Sequence, residues 1–234
     1  MGVEQSDEEA FKWFAKSVKH GHARAQYYLG KMYYFGRSVT GDYKEAFKWY
    51  KKSAEQGYDQ AQCEVGCMYS SDDNRGVEKN YRKALSWFTK SAEQGNARAQ
   101  YYLGKMYYFG KGVARNYGQA FSWYKKAAEQ GDADAQYYVG MMCYSGEGVA
   151  KDYKEAMKWC LKSAEQGHAK ARYRLEWMCY NGEGIGKDGD CSVNVKAYRT
   201  TPLLINMKLQ KYIKDTKNQK LLRVNKGQQR TYKQ

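Results

Sequence analysis

The chain has 234 residues, with 40 Lys and Arg against 25 Asp and Glu, a formal net charge of +15, and 42% hydrophobic and 16% aromatic residues. That length suffices for one or two ordinary domains, and the aromatic content excludes a generically disordered chain despite a mean hydropathy of −0.93. No apolar run reaches the roughly 18 residues that a transmembrane helix needs.

Met1–Ala10 holds four acidic residues and no apolar stretch, so it does not read as a signal peptide. Gly2 and Ser6 fit the bare myristoylation pattern, but the pattern is short and Glu4 and Asp7 repel anionic lipid. Asp7–His20 reads as a lone helix. Ala23–Phe35 reads as the next, with Ala25, Leu29, Met32 and Tyr33 on one face and Gly36 placed to end it. Tyr43–Gln56 follows, with Ala46, Trp49, Tyr50, Ser53 and Ala54 as its stripe and Gly57 beyond it. The single proline, Pro202, leaves helix uninterrupted over most of the length, and 23 glycines supply the punctuation.

From here the pattern repeats. Trp13, Trp49, Trp87, Trp123 and Trp159 are spaced 36, 38, 36 and 36 residues apart. Gly21, Gly57, Gly95, Gly131 and Gly167 keep the same intervals, as do Gly30, Gly66, Gly104 and Gly140, with Glu176 the departure. A fixed period of this size signals stacked supersecondary units. The two-residue insertion falls in Tyr69–Val77, an enlarged polar loop. Residues 23–36 and 97–110 are identical, 74 residues apart, the mark of a duplicated two-unit block. Ala46, Ala84, Ala120 and Ala156 are small where two helices must cross, and the neighbouring Trp is the expected knob. Gly30 and its copies sit mid-helix at a cost of about 1 kcal/mol each, which points to close helix contact. The expected tally is one helix, four complete pairs and one further helix, ten in all.

The string AQYYLGKMYYFGKGVARNYGQAFSWYKKAAEQG, Ala99–Gly131, closely resembles the Sel-1-like repeat, a relative of the tetratricopeptide repeat. The resemblance covers residues 7–188, starting and ending in mid-repeat. Departures are the missing first turn glycine of the second copy, Glu176 followed by Trp177, and Gly189 where Tyr43, Tyr81, Tyr117 and Tyr153 recur. The resemblance implies an all-α fold, a right-handed α/α superhelical solenoid of antiparallel helix pairs. It further implies a non-catalytic scaffold or adaptor, not an enzyme, that binds a protein or peptide and needs no cofactor.

In such arrays the first helix of each pair lines the concave face. The positions left over from the framework are Arg24, Tyr28, Lys31 and Tyr34, then Gln60, Glu64, Cys67 and Ser70, then Arg98, Tyr102, Lys105 and Tyr108. They continue through Asp134, Tyr138, Met141 and Tyr144 to Lys170, Arg174, Trp177 and Tyr180. Six cations against two acids, with tyrosines between them, suit an extended partner carrying acidic and aromatic side chains. The partner contacts expected of this face are Arg24, Tyr28, Lys31, Tyr34, Arg98, Tyr102, Lys105, Tyr108, Tyr138, Tyr144, Arg174 and Trp177. The alternative is that these tyrosines pack against the neighbouring helix pair.

Catalytic motifs do not emerge. The three histidines are His20, His22 and His168, the last two at a turn position where other copies carry Tyr58, Asn96 and Asp132. No Ser-His-Asp order, HExxH or phosphate loop occurs, and the paired glycines join helix to helix rather than strand to helix. Some relatives of the family are secreted, disulfide-stapled proteins with affinity for β-lactam-type ligands. Here Cys63, Cys143, Cys160 and Cys179 instead replace tyrosines at packing positions, which favours buried free thiols. Cys63 and Cys67 share a helix face without the further ligands a metal centre needs. With no secretory signal read at Met1–Ala10, reduced thiols are the default, and a cytoplasmic location is the expectation.

After Asp188 the repeat grammar stops. Residues 189–234 form a basic tail with eleven Lys and Arg against two acids. Leu204–Val224 has amphipathic basic character, with Ile205, Leu209, Tyr212 and Ile213 roughly on one side. Three readings stand: a cap on the last helix, a contact for nucleic acid or an anionic membrane surface, or a disordered segment. Nucleic acid is not expected to bind elsewhere.

Overall fold

The computed structural model describes residues 7–72 and 76–184. Among them are ten α-helices and no strand: α1 (Asp7–Ser17), α2 (Ala23–Phe35), α3 (Tyr43–Glu55), α4 (Asp59–Ser70), α5 (Tyr81–Glu93), α6 (Ala97–Phe109), α7 (Tyr117–Glu129), α8 (Ala133–Ser145), α9 (Tyr153–Glu165) and α10 (Ala169–Asn181). A short 3-10 turn, Val18–His20, links α1 to α2. The basic tail, the N-terminal Gly2–Ser6 motif and residues 73–75 of the loop insertion lie outside the described residues. The chain divides into two compact units, with the boundary between Ala135 and Gln136 inside α8.

Local chemistry sets each helix end. Asp42, Asn80, Asn116 and Asp152 cap the second helices of the pairs; Asp42 Oδ1, for example, accepts from the amides of Lys44 at 2.8 Å and Glu45 at 3.1 Å. The first helices α2, α6 and α10 end on Gly36, Gly110 and Gly182 in the left-handed region, where a side chain is strained and glycine is not. The following turn is then pinned back. The amides of Asp42, Asn80, Asn116 and Asp152 donate to the carbonyls of Tyr33, Tyr69, Tyr107 and Cys143 at 2.8–3.0 Å.

In the first unit α2 packs on α3, α4 on α5 and α6 on α7, while α3–α4 and α5–α6 contacts join successive pairs and α1 packs on α2. Ala46, Ala84 and Ala120 are fully buried at the crossings, as the period predicts. The knob, however, is not the tryptophan. A Cβ built on Gly30, Gly66 or Gly104 would lie 2.7–2.8 Å from the ring of Tyr50, Phe88 or Tyr124, the residue after each Trp. Trp49, Trp87 and Trp123 are half-buried, and the lysine three residues on (Lys52, Lys90, Lys126) sits 4.1–4.6 Å from each ring centroid. The glycine socket and the aromatic after Trp are thus the interlocking parts, and the expectation of a Trp knob is corrected.

Polar bonds repeat across the same pairs. The Gln56 side chain donates to Gln26 at 2.7 Å, Gln94 to Gln62 and Gln130 to Gln100 at 2.8 Å, and Gln62 and Gln100 donate in turn to the carbonyls of Ala54 and Ala92 at 3.2 Å. Ser53 and Ser91 donate to the carbonyls of Ala23 and Asp59. The recurring Glu–Gln–Gly helix end is therefore a clamp between helices, each buried glutamine satisfied as its burial requires.

The second unit uses the same grammar. Gly140 on α8 faces Cys160 on α9, whose sulfur would lie 2.7 Å from an added Cβ, and Gln166 donates to Gln136 at 2.8 Å. α9 packs on α10. His168 is no indifferent surface residue: its Nδ1 accepts from the amide of Ala171 at 3.1 Å, capping α10, and its ring stacks on Tyr137 at 4.9 Å.

Candidate partner-binding face

In the first unit the expected face resolves into two equivalent clusters with a different helix between them. On α2 the Arg24 guanidinium carbon lies 5.7 Å from the Tyr28 ring centroid, and on α6 Arg98 lies 5.7 Å from Tyr102. Each tyrosine stacks on an aromatic of the preceding second helix: Tyr28 on Phe14 at 5.1 Å, Tyr102 on Phe88 at 5.0 Å, interplanar angles 12° and 16°. Tyr28 and Tyr102 are half-buried, with Arg24 and Arg98 exposed above them. Burial pushes the Tyr102 hydroxyl up to about 12, so it remains a neutral donor at physiological pH. The rings are fixed by packing, and the cations reach solvent.

Lys31 is exposed and Lys105 half-buried, its Nζ 6.0 Å from the Tyr101 ring. Tyr34 and Tyr108 are engaged mainly within their own pairs. Tyr34 meets Phe35 at 5.0 Å and Tyr43 at 5.2 Å; Tyr108 meets Phe109 at 4.9 Å and Tyr117 at 5.2 Å. Both are half-buried, so one edge serves the pair interface. Each ring therefore packs within its own helix pair and keeps part of its surface exposed.

Helix α4 departs from its neighbours. Glu64 takes the position of Tyr28 and Tyr102, and Cys67 that of Lys31 and Lys105. Arg98 reaches back from α6 to pair with Glu64, Nη1 to Oε1 2.5 Å, and its Nη2 lies 3.6 Å from the Cys67 sulfur. These partners are 31 to 34 residues apart in sequence, so no local motif announces them. Only the repeat register aligns them.

In the second unit Tyr138 is half-buried beside Tyr137, with centroids 5.6 Å apart. Tyr144 lies against Tyr153 at 5.2 Å, donates from its hydroxyl to Glu183 at 3.2 Å, and carries the Arg174 guanidinium 5.0 Å from its centroid. Trp177 is 44% exposed and Tyr173 65% exposed on α10. The Tyr180 side chain lies outside the described ones. Among the described residues no group of three or more His, Cys, Asp or Glu is gathered to hold a metal ion, and no helix is long and apolar enough to cross a membrane. Cys63, Cys67 and Cys160 are free thiols.

Tandem helix pairs with a fixed glycine socket, an aromatic knob and a repeated glutamine clamp define an α-solenoid repeat protein. The Sel1 repeat pattern matches residues 1–22, 23–58, 59–96, 97–132 and 133–168, and the chain belongs to the Sel1 repeat family. Proteins of this family are generally protein-interaction scaffolds, and the fold is typically non-catalytic. The chain is similar to a Sel1 repeat protein from Oxalobacter formigenes, with 31% identity and a TM-score of 0.74 over 90% of this chain and 81% of that one. It is also similar to c5321, a protective antigen of uropathogenic Escherichia coli with the same repeat fold, at 31% identity and TM-score 0.55; 92% of this chain aligns with 57% of that one. No curated protein matches the chain.

Proposed function

We propose that the chain is a non-catalytic scaffold that binds an extended acidic, aromatic-bearing segment of a protein partner along the first helices of its pairs. The observation that carries this reading is the duplicated cluster: Arg24 over Tyr28 and Arg98 over Tyr102, at the same 5.7 Å. Each ring is already held by stacking on the preceding helix. A cation and a phenol held in place before binding lose little side-chain entropy on contact, which favours recognition of carboxylates and aromatic groups. Lys31, Lys105, Tyr34 and Tyr108 extend the same face in the first unit; Tyr138, Tyr144, Arg174 and Trp177 are the corresponding contacts in the second. The reading assigns residues 7–188 to the array, residues 189–234 to a separate basic tail, and the chain to the cytoplasm, where its thiols stay reduced.

The test is selection of acidic, Tyr- or Phe-containing peptides on immobilised protein, followed by affinity measurement on two charge-reversed variants. Lys31→Glu/Lys105→Glu alters the proposed face. Lys51→Glu/Lys125→Glu alters second-helix lysines paired with Glu55 and Glu129. The first is expected to weaken binding by more than about tenfold and the second to leave it unchanged. Equal losses in both would reduce the binding to bulk charge.

A further inference from the structure

Helix α4 carries two cysteines that lie outside the proposed partner contacts, although Arg98 and Tyr102 border them. Cys63 and Cys67 are one helical turn apart, at positions where the identical helices α2 and α6 hold Tyr27 and Lys31, and Tyr101 and Lys105. Cys63 is buried, 2% exposed, while Cys67 is half-buried. Arg98 crosses from α6 and divides its fork: Nη1 bonds Glu64 at 2.5 Å and Nη2 lies 3.6 Å from the Cys67 sulfur. We propose that Cys67 is a nucleophilic cysteine and a covalent modification site for small-molecule disulfides.

The surroundings favour the anionic sulfur. The neighbouring Cys63 thiol is the largest favourable influence, the Arg98 guanidinium adds positive charge and the Tyr102 hydroxyl contributes in the same sense; burial and the Glu64 carboxylate oppose them. Together these hold the Cys67 thiol below its usual range, while the adjacent Cys67 sulfur and burial push Cys63 upward, so Cys63 keeps its proton. From α5 the core cluster that Cys67 packs against contributes Ala84, Phe88 and Ala92, none of them titratable. Cys63 does not close a disulfide with Cys67 in an intact helix. Cβ atoms four residues apart on a helix are about 5–6 Å apart, beyond the roughly 3.5–4.5 Å that a disulfide spans. Cys63 is therefore a positioning residue, and Cys67 reacts with an external partner. In that step the thiolate, its proton already released to water, attacks one sulfur of the disulfide. A new S–S bond forms, the old one breaks, and the electron pair leaves with the second sulfur as a thiolate.

The test uses the full-length chain carrying Cys191→Ser, which removes the thiol beyond the described residues, and limiting dithiodipyridine. This disulfide is neutral, so loss of Arg98 is not read as lost attraction for an anionic reagent. The expected result is one fast-reacting thiol, mapped by peptide mass to Cys67 and absent in Cys67→Ser. Its pH midpoint lies below the ordinary thiol value of about 8.5. Arg98→Gln slows the reaction near neutral pH severalfold, because the thiolate fraction falls while the greater nucleophilicity of a more basic thiolate offsets part of the loss. Arg98→Lys restores most of the rate, and Glu64→Gln accelerates it. A fast phase that maps to another cysteine, or a Cys67 midpoint in the ordinary range that Arg98→Gln does not move, overturns the proposal.

Discussion

Replacing Gly104 by Ala tests the socket at its tightest point. A methyl there lies 2.7, 2.9 and 3.0 Å from Cδ1, Cγ and Cε1 of Tyr124, a side chain that is 0% exposed. Carbon atoms in ordinary contact stand about 3.5–4.0 Å apart, so the ring must move by roughly 0.8 Å or more. Overpacking of this kind costs about 1–3 kcal/mol, here near the upper end because several ring atoms collide at once. Ala gains about 1 kcal/mol over Gly in a helix interior, leaving a net destabilisation of about 1–2 kcal/mol. The control is Gly118→Ala on α7, where the one neighbour within 4 Å of the added Cβ is Asn116 Oδ1 at 3.4 Å; it gains up to about 1 kcal/mol. Urea unfolding followed by far-ultraviolet circular dichroism reads both signs. A Gly104→Ala protein as stable as the parent would show that the socket is not a close contact and would refute the packing scheme.

Four further outcomes follow from the same geometry. Gly112→Ala should destabilise by about 2 kcal/mol or more, measured as a fall in urea midpoint: Gly112 has φ +73°, and an added Cβ lies 2.6 Å from the Tyr81 carbonyl oxygen, which cannot swing away as a side chain can. Asn116→Ala should cost about 1 kcal/mol by removing the acceptor for the Gln119 amide at 2.9 Å, and Asn116→Asp should retain most of that stability in the same assay. Gln62→Ala removes the group that donates to Ala54 and accepts from Gln94, and should cost about 1–3 kcal/mol, read by urea unfolding against an exposed Gln60→Ala control. Burial holds Tyr27 and Tyr102 neutral, up to about 12 against an unfolded value of 10.0. Their contribution is intact below that unfolded value and is lost as pH rises through the folded one, so the urea midpoint should fall between pH 10 and 12 and the last phenolates should appear together with unfolding.

Much of this architecture is legible in the sequence because a repeat multiplies weak signals. Gly36 and Gly110 end their helices as the period predicts, and the boundaries Ala23–Phe35 and Tyr43–Glu55 fall within a residue of expectation. The knob was not legible. Trp49 and Tyr50 are adjacent, and both fall within the broad apolar stripe that periodicity defines, so the pattern does not tell which enters the socket. Space decided it: the Gly30 socket admits the flat edge of Tyr50, while Trp49 stays half-buried with Lys52 beside its indole. The face was legible as a register and not as a set of contacts. Tyr28 and Tyr102 stack on Phe14 and Phe88 because the preceding second helix lies against the first helix of the next pair, a relation that no single unit encodes. The Arg98–Glu64 pair and the nearby Cys67 stayed hidden for the same reason: they join different repeats, and α4 is the helix that departs from its near-identical neighbours.

The most direct test of the scaffold account is site-resolved photo-crosslinking to the tightest selected peptide. A photoreactive side chain is placed in turn at Lys31, at Lys105, and at the second-helix positions Lys51 and Lys125. The account predicts crosslinks from positions 31 and 105, in a fixed order along the peptide, and none from 51 or 125. Crosslinks from 51 and 125 with none from 31 and 105 would contradict it.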